Sequence, residues 1–199
     1  MLRSAFERSK KFAQHDKADW LVVHACSSFF AKKCSPIPAG EKARPGVSVK
    51  IRLERVNDQV HLLATGGNGR TVDIDGSQAI GGQDLGVRPM ELMLMALGSC
   101  SAMDILSILA KQKQKVESFW IDVDGEREAG VEPSIFRNIK IVYNFSGPLE
   151  SARVERAIDL SLGKYCSVSR TLEPTARMEG IYLLNGQSNS YQFVSGPAA

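Results

Sequence analysis

Cys100 and Cys166 are the side chains of this sequence that are best suited to chemistry. Cys100 lies in the apolar stretch "MELMLMALGSCSAMDILSILA" with small residues on both sides, and Cys166 lies in "GKYCSVS". A cysteine in an apolar helix is ordinarily a small core residue. A thiolate that a substrate can reach is instead a nucleophile, open to oxidation and to exchange with a second thiol. The residues alone leave both interpretations open.

The remaining cysteines and the histidines do not indicate a metal site. No two of the four cysteines have the spacing of a CxxC motif, and all three histidines lie upstream of Cys100. His24, Cys26 and Cys34 supply at most three ligands without a recognisable spacing. Cys26 and Cys34 are therefore interpreted as incidental thiols. The sequence predicts no bound metal and no cofactor.

The charge of the chain is small and unevenly distributed. Lys and Arg outnumber Asp and Glu by 25 to 22, and residues 1–45 hold nine basic against four acidic residues. The remainder has no broad basic excess, which argues against nucleic-acid binding. The N-terminus lacks the unbroken apolar stretch of a secretory signal. Glu91 and Asp104 interrupt the long apolar segment and leave too little of it to span a bilayer. A cytoplasmic protein without nucleic-acid or membrane partners is expected.

The order of the predicted elements indicates an α+β domain. Residues 1–45 are predicted to form a partly helical extension and linker, residues 46–185 the folded domain, and residues 186–199 a tail. Alternating apolar and polar positions predict a three-stranded meander from Val47, with turns at "NDQ" and "GGNG". A long helix over 89–113 follows, then two strands, two helices and a closing strand. This order favours helices packed against an antiparallel sheet.

The long helix is apolar on nearly every face between Leu92 and Leu109. A helix of this kind must be enclosed on all sides, and one small domain supplies too little surface to do so. The sequence therefore predicts a second subunit packed against it. The neighbours Met93, Met95 and Met103 either fill an irregular core or line a site for an apolar substrate, and the two interpretations are compatible.

Two segments of the chain carry a resemblance to a known family. The segments "GVRPMELMLMALGSCSAMD" and "AIDLSLGKYCSVSRTL", separated by two strands and a helix, resemble the cysteine motifs of the OsmC/Ohr family of thiol peroxidases, above all its YhfA-type branch. The similarity extends from Val47 to Leu184. It implies an OsmC-like fold, in which an antiparallel sheet surrounds two long central helices of an intertwined homodimer.

The resemblance also implies a reaction. In the family the cysteine of the long helix is peroxidatic and the later cysteine is resolving, which here gives Cys100 and Cys166 these roles. The first thiolate attacks a hydroperoxide and becomes a sulfenic acid, which condenses with the second thiol to a disulfide. An external dithiol then reduces the disulfide by exchange. The expected function is a thiol-dependent peroxidase, and the apolar neighbours of Cys100 favour organic hydroperoxides as its substrates.

The sequence departs from the family's peroxidases at the residues that activate the thiolate. Those members carry an arginine in a "GGRDG" turn and a glutamate directly after the proline that opens the long helix. Here the turn reads "GGNGR", which displaces Arg70 by two positions, and Glu91 comes one position late, a rotation of about 100° on a helix. Arg70, Arg170 and Arg88 are the candidate substitutes. Glu91 is either a site residue or a first-turn carboxylate favoured by the helix dipole.

These departures keep two alternative functions open. A non-catalytic or redox-sensing OsmC-like binding protein would retain the fold and both cysteines without turnover. A thiol-dependent enzyme acting on something other than a peroxide is the other alternative. Asp104, one turn after Cys100, would disfavour a thiolate if it lay close and unpaired. The reaction of Cys100 with a hydroperoxide distinguishes the alternatives, because the attack requires a thiolate.

Overall fold

A computed structural model describes residues 46–197 of the chain. These residues form eight β-strands and three α-helices in the order β1–β3, α1, β4–β5, α2–α3, β6–β8. Up to β6 this is the predicted order, and the α+β class is confirmed. The predictions for residues 1–45, which include Cys26 and Cys34, lie outside the described residues.

The first three strands form an antiparallel sheet of their own. Their bounds are Arg52–Arg55 for β1, Leu62–Thr65 for β2 and Thr71–Ile74 for β3. Gly69 in the β2–β3 turn has a φ of 76°, a left-handed angle that favours glycine. The alternating pattern predicts a first strand from Val47, but the ladder starts five residues later. Within the described part of the chain, β2 ends opposite Arg52 and offers the earlier residues no partner.

The long helix α1 spans Pro89–Lys111, two residues shorter than predicted. Proline suits the first turn, where its missing N–H has no intrahelical partner to lose. Its fully buried large apolar side chains are Leu97, Ile105 and Leu109. By length and composition alone the helix is long enough and apolar enough to cross a membrane, a test that the core helix of a soluble protein also passes.

The second sheet contains the remaining strands. Their bounds are Ser118–Arg127 for β4, Phe136–Ser146 for β5, Arg177–Leu184 for β6, Gln187–Ser188 for β7 and Phe193–Ser195 for β8. β4 and β5 form an antiparallel hairpin, whereas β6 runs parallel to β5. The parallel pairing follows from the crossover connection, since the helical segment between β5 and β6 returns the chain to the same end of the sheet. β7 and β8 both pair with β6, so the segment predicted as a tail extends this sheet.

A second helical segment connects β5 to β6 and packs beside α1. It consists of α2, Ser151–Leu160, a π-helical turn, Ser161–Tyr165, and α3, Ser167–Leu172. π-helical turns are rare and occur frequently at functional sites. The core between helices and sheet includes Ile139, Ile141, Tyr143, Phe145, Val154, Ile158, Leu162 and Met178. This core holds the middle of α1 against the start of α3, which carry the two candidate cysteines.

Candidate active site

The structure places the Cys100 and Cys166 thiols side by side, although the residues are far apart in the sequence. Their sulfur atoms and a carboxylate oxygen of Asp104 all lie within 4.8 Å of one another. Both cysteines are free thiols. Cys100 is partly exposed, whereas Cys166 is fully buried. A small molecule arriving from solvent therefore meets Cys100 first.

The environment of Cys166 keeps its thiol protonated at neutral pH. Burial raises the pKa of the Cys166 thiol to about 11, and the neighbouring Cys100 acts in the same direction. The backbone N–H of Ser169 opposes this shift, because it donates a hydrogen bond of 3.4 Å to the sulfur. Cys166 precedes the first residue of α3, so the sulfur accepts from the first turn of that helix.

Asp104 and Ser161 connect the two helical segments beside the thiols. The Ser161 hydroxyl lies 3.2 Å from the carbonyl oxygen of Ser101 and 3.4 Å from a carboxylate oxygen of Asp104, and it is the donor in both contacts. Ser161 is the first residue of the π-helical turn, so this turn is anchored to α1 at the thiol pair. The Asp104 carboxylate therefore lies beside both sulfurs.

Tyr143 is a buried neighbour of the thiols that sequence reasoning does not single out. Its side chain is fully buried, and its hydroxyl lies near Ser101 and Cys166. Among the described residues this hydroxyl has no hydrogen-bond partner of adequate geometry. Burial raises the pKa of Tyr143, so the hydroxyl remains a neutral donor. The alternating pattern of β5 indicates that the ring faces inward, but it gives no signal for the missing partner.

The structure places neither Arg70 nor Arg170 on the thiols of the same chain. Arg70 lies at the end of the β2–β3 turn and is exposed. Arg170, on α3, forms an ion pair with Glu173 and keeps about half of its side chain (54%) in solvent. No hydrogen bond or ion pair joins either guanidinium to Cys100 or Cys166 within residues 46–197. Their role in activating the thiolate stays a prediction.

Glu91 and Arg88 organise the start of α1. The Glu91 carboxylate accepts a hydrogen bond of 2.8 Å from the backbone N–H of Arg88, which is the first-turn capping arrangement. The Arg88 guanidinium pairs with Asp84 and donates to the backbone carbonyls of Asp75 and Gly76. These contacts place both side chains at the start of α1, and their role in activating the thiolate stays a prediction.

Two open cavities flank α1. The first, of about 540 Å³, lies between α1 and β4 and is mainly apolar, with Glu91 at its margin. Its lining residues include Leu94, Met95, Phe119, Trp120 and Val123. The second, of about 640 Å³, lies between α1 and the α2 segment. It is lined by Asp104 together with Lys111, Arg156 and Tyr165, so solvent reaches the carboxylate beside the thiols.

Comparison with known proteins identifies the fold. The model of the family described as OsmC-like protein matches residues 81–179. Protein YhfA of Escherichia coli is 36% identical over 122 residues, which cover 61% of this chain and 87% of that protein. The crystal structure of a hypothetical protein from Aquifex aeolicus is 29% identical with a TM-score of 0.62, and the match covers 70% of this chain and 98% of that one.

A more distant structure shares the fold alone. The organic hydroperoxide resistance protein OsmC of Legionella pneumophila is 14% identical with a TM-score of 0.54, over 68% of this chain and 96% of that one. The family model, the YhfA match and the shared fold all agree with the cysteine motifs. The chain belongs to the OsmC-like family.

Proposed function

We propose that this protein is a thiol-dependent peroxidase that reduces organic hydroperoxides, with Cys100 as the peroxidatic and Cys166 as the resolving cysteine. The observation that carries the proposal is the separation of the two sulfur atoms, which is at most 4.8 Å. A disulfide requires the sulfurs to approach to about 2.05 Å, so a small movement of side chain or backbone brings the pair together.

Because Cys100 is partly exposed and Cys166 is buried, the two thiols take different steps of the proposed reaction. The Cys100 thiolate attacks the distal oxygen of the hydroperoxide, the O–O bond breaks, and the alkoxide leaves as an alcohol after taking up a proton. The resulting sulfenic acid reacts with the Cys166 thiol to give a disulfide and one water molecule. An external dithiol of the reducing cytoplasm, the location we propose, then restores both thiols. Burial protects Cys166 from direct oxidation, which suits a resolving role.

We propose a homodimer as the active form. In the single chain α1 exposes 51% of Met95 and 72% of Met103, and β4 exposes 55% of Trp120. Met95 and Trp120 line the same apolar cavity, and exposed apolar patches indicate a protein interface. A second copy would cover these side chains and the apolar cavity between α1 and β4. Sizing of the purified protein at micromolar concentration tests this: a stable monomer would contradict it.

In this proposal an arginine side chain supplies the positive charge that activates the Cys100 thiolate. Arg70 and Arg170 remain the candidates, and Glu91 a candidate for orienting one of them. In the dimer that we propose, Arg70, which is exposed in the single chain, would act on the thiol site of the second copy. Methionine retains the length of the side chain without its charge. If Arg70 activates Cys100, Arg70→Met should slow the reaction of Cys100, and if Arg170 does so, Arg170→Met should slow it.

A redox-sensing protein without turnover is the second candidate function. The carboxylate of Asp104 beside both sulfurs favours it, because a negative charge at that place disfavours the thiolate that attacks peroxides. A sensor of this kind would form the disulfide slowly and would not be reduced repeatedly by a dithiol.

The deciding experiment adds one equivalent of cumene hydroperoxide to the reduced protein and follows thiol loss and mass. We expect a Cys100–Cys166 disulfide in the wild type, none in Cys100→Ser, and a trapped sulfenic acid in Cys166→Ser. Cys34→Ser is the matched control and should behave as the wild type does. Two thiols that survive the peroxide would reject the peroxidase, and a single slow turnover would favour the sensor.

A further inference from the structure

The two thiols, together with the Asp104 carboxylate, supply the donor atoms of a metal site as well as those of a redox pair. Cys100 and Asp104 lie one turn apart on α1, and Cys166 adds a third donor from the start of α3. One donor atom of each lies within 4.8 Å of the others. The sequence predicts no metal here, because the donors come from two distant segments and have no recognisable spacing.

The charges around these donors favour a cation. In their deprotonated forms the two thiolates and the carboxylate add three negative charges in a small volume. Lys111 and Arg156 line the cavity beside Asp104, but no ion pair joins either of them to Asp104 in the described part of the chain. Arg170 is paired with Glu173. No direct contact with a basic side chain in the described part of the chain therefore offsets the charge that these donors carry once deprotonated.

The donor set suits a thiophilic divalent cation such as Zn²⁺. Zinc binds thiolate sulfur at about 2.3 Å and carboxylate oxygen at roughly 2.0–2.2 Å, and it prefers tetrahedral geometry. Around such an ion, neighbouring donors lie roughly 3.5 Å apart, so atoms within 4.8 Å need only a modest contraction. Three protein donors leave one position for water or another small ligand.

Hydrogen-bond donors already surround the three proposed ligands. The Ser161 hydroxyl contacts Asp104, and the Ser169 N–H contacts the Cys166 sulfur. The fully buried Tyr143 hydroxyl lies beside Ser101 in the same region and makes no hydrogen bond of adequate geometry within the described residues. Outer donors of this kind orient ligands and strengthen metal binding.

We propose that the reduced protein binds a thiophilic divalent cation of the Zn²⁺ type through Cys100, Cys166 and Asp104, and that disulfide formation releases it. Binding displaces one proton from each thiol. One hydroperoxide, the two thiolates and two protons then give a disulfide, an alcohol and water, and the cation leaves because its sulfur ligands are gone. The binding step rests on the geometry alone, whereas the release step also rests on the proposed peroxidase function.

The binding step is tested with Co²⁺, whose thiolate charge-transfer band reports sulfur ligation directly. The full chain carrying Cys26→Ser and Cys34→Ser serves as the background, so that only two thiols remain. We expect one Co²⁺ per chain, displaced by Zn²⁺, and loss of the band with Cys100→Ser or Cys166→Ser. Asp104→Asn should weaken binding at least about tenfold. Asp58→Asn, which removes an exposed carboxylate in the β1–β2 turn, is the matched control and should leave it unchanged.

Two results would overturn the binding proposal: no charge-transfer band in the background protein, or a band that survives Cys100→Ser. Unchanged affinity in Asp104→Asn would also overturn the three-donor site. The release step is tested by adding hydroperoxide to the metal-loaded protein and measuring free Zn²⁺ with a chromogenic chelator. If the metal binds but peroxide releases none and forms no disulfide, the metal site stands and the peroxidase function fails. Release of Zn²⁺ without disulfide formation would contradict the proposal that disulfide formation releases the metal.

Discussion

The Asp104 carboxylate lies one helical turn after Cys100 and within 4.8 Å of its sulfur. A negative charge at this distance raises the free energy of a thiolate, and the effect grows as water is excluded. The only hydrogen bond to this carboxylate among the described residues comes from the neutral Ser161 hydroxyl. If Cys100 attacks peroxides as we propose, Asp104 should slow that attack in the metal-free protein, and in the metal-bound form it should supply a ligand.

Asp104→Asn should accelerate the reaction of metal-free protein with cumene hydroperoxide by about three- to tenfold at neutral pH. Asparagine retains an oxygen that accepts from Ser161, so the local packing is preserved. The rate of thiol loss under rapid mixing measures the effect, with Asp58→Asn as the control. An unchanged or slower reaction would show that the carboxylate does not act on the thiolate.

The resolving step should accelerate with pH well above neutrality. Burial raises the pKa of Cys166 to about 11, so only a small fraction is thiolate at pH 7. That fraction grows about tenfold per pH unit below the pKa. The rate at which the Cys100 sulfenic acid is converted to disulfide should therefore increase from pH 7 to pH 10. Competition with a sulfenic-acid trap measures this rate, and a flat profile would contradict the assignment of Cys166 as the attacking thiol.

The element order could be expected from the sequence, and the meeting of Cys100 with Cys166 from the resemblance to the OsmC/Ohr family. Apolar periodicity reports local structure well, and the two cysteine motifs are specific. The parallel pairing of β6 with β5 differs from the antiparallel sheet that the sequence predicts, because the alternation identifies a strand but not the direction of its neighbour. The start of β1 at Arg52 was not predicted either. The pairing of β1 ends where its partner β2 ends, and the alternating pattern does not show this.

The surroundings of the thiols were harder to predict than the thiols themselves. The contact of Ser161 with Asp104 depends on the π-helical turn. The spacing of apolar residues in the sequence does not reveal a turn of this kind. The position of the Tyr143 hydroxyl among its neighbours depends on how two helices and a sheet pack against one another. Contacts of this kind are fixed by tertiary packing and leave no mark on the spacing of residues.

Asp75 should stabilise the loop that leads into α1. Its buried carboxylate accepts backbone hydrogen bonds from Leu85, Gln83 and Gly76, and these lower its pKa below the usual 3.8. A lowered pKa means that the folded state binds the proton less readily than the unfolded state does. The stabilisation is thus complete above pH 3.8 and is lost as the pH falls through the lower, folded-state value.

Asp75→Asn should lower the midpoint of thermal unfolding at pH 7, and the difference from the wild type should shrink at pH values below 3.8. An asparagine side chain has one acceptor oxygen and cannot satisfy three N–H donors in the same way. Thermal unfolding followed by circular dichroism measures both effects. Equal midpoints at pH 7 would mean that the carboxylate contributes nothing to the loop.

Tyr143 and Tyr182 offer a matched pair of buried tyrosines with opposite expectations. The Tyr182 hydroxyl donates a hydrogen bond of 3.0 Å to Glu155, whereas the Tyr143 hydroxyl lies beside Ser101 but makes no hydrogen bond of adequate geometry among the described residues. A buried hydroxyl without a partner costs about 1 kcal/mol or more, while a satisfied one contributes about 1 kcal/mol. Tyr143→Phe should therefore raise the free energy of unfolding of the metal-free protein by ~1 kcal/mol, and Tyr182→Phe should lower it by ~1 kcal/mol. Urea unfolding in the presence of a chelator measures both, and a loss of stability in both variants would show that the Tyr143 hydroxyl is satisfied in solution.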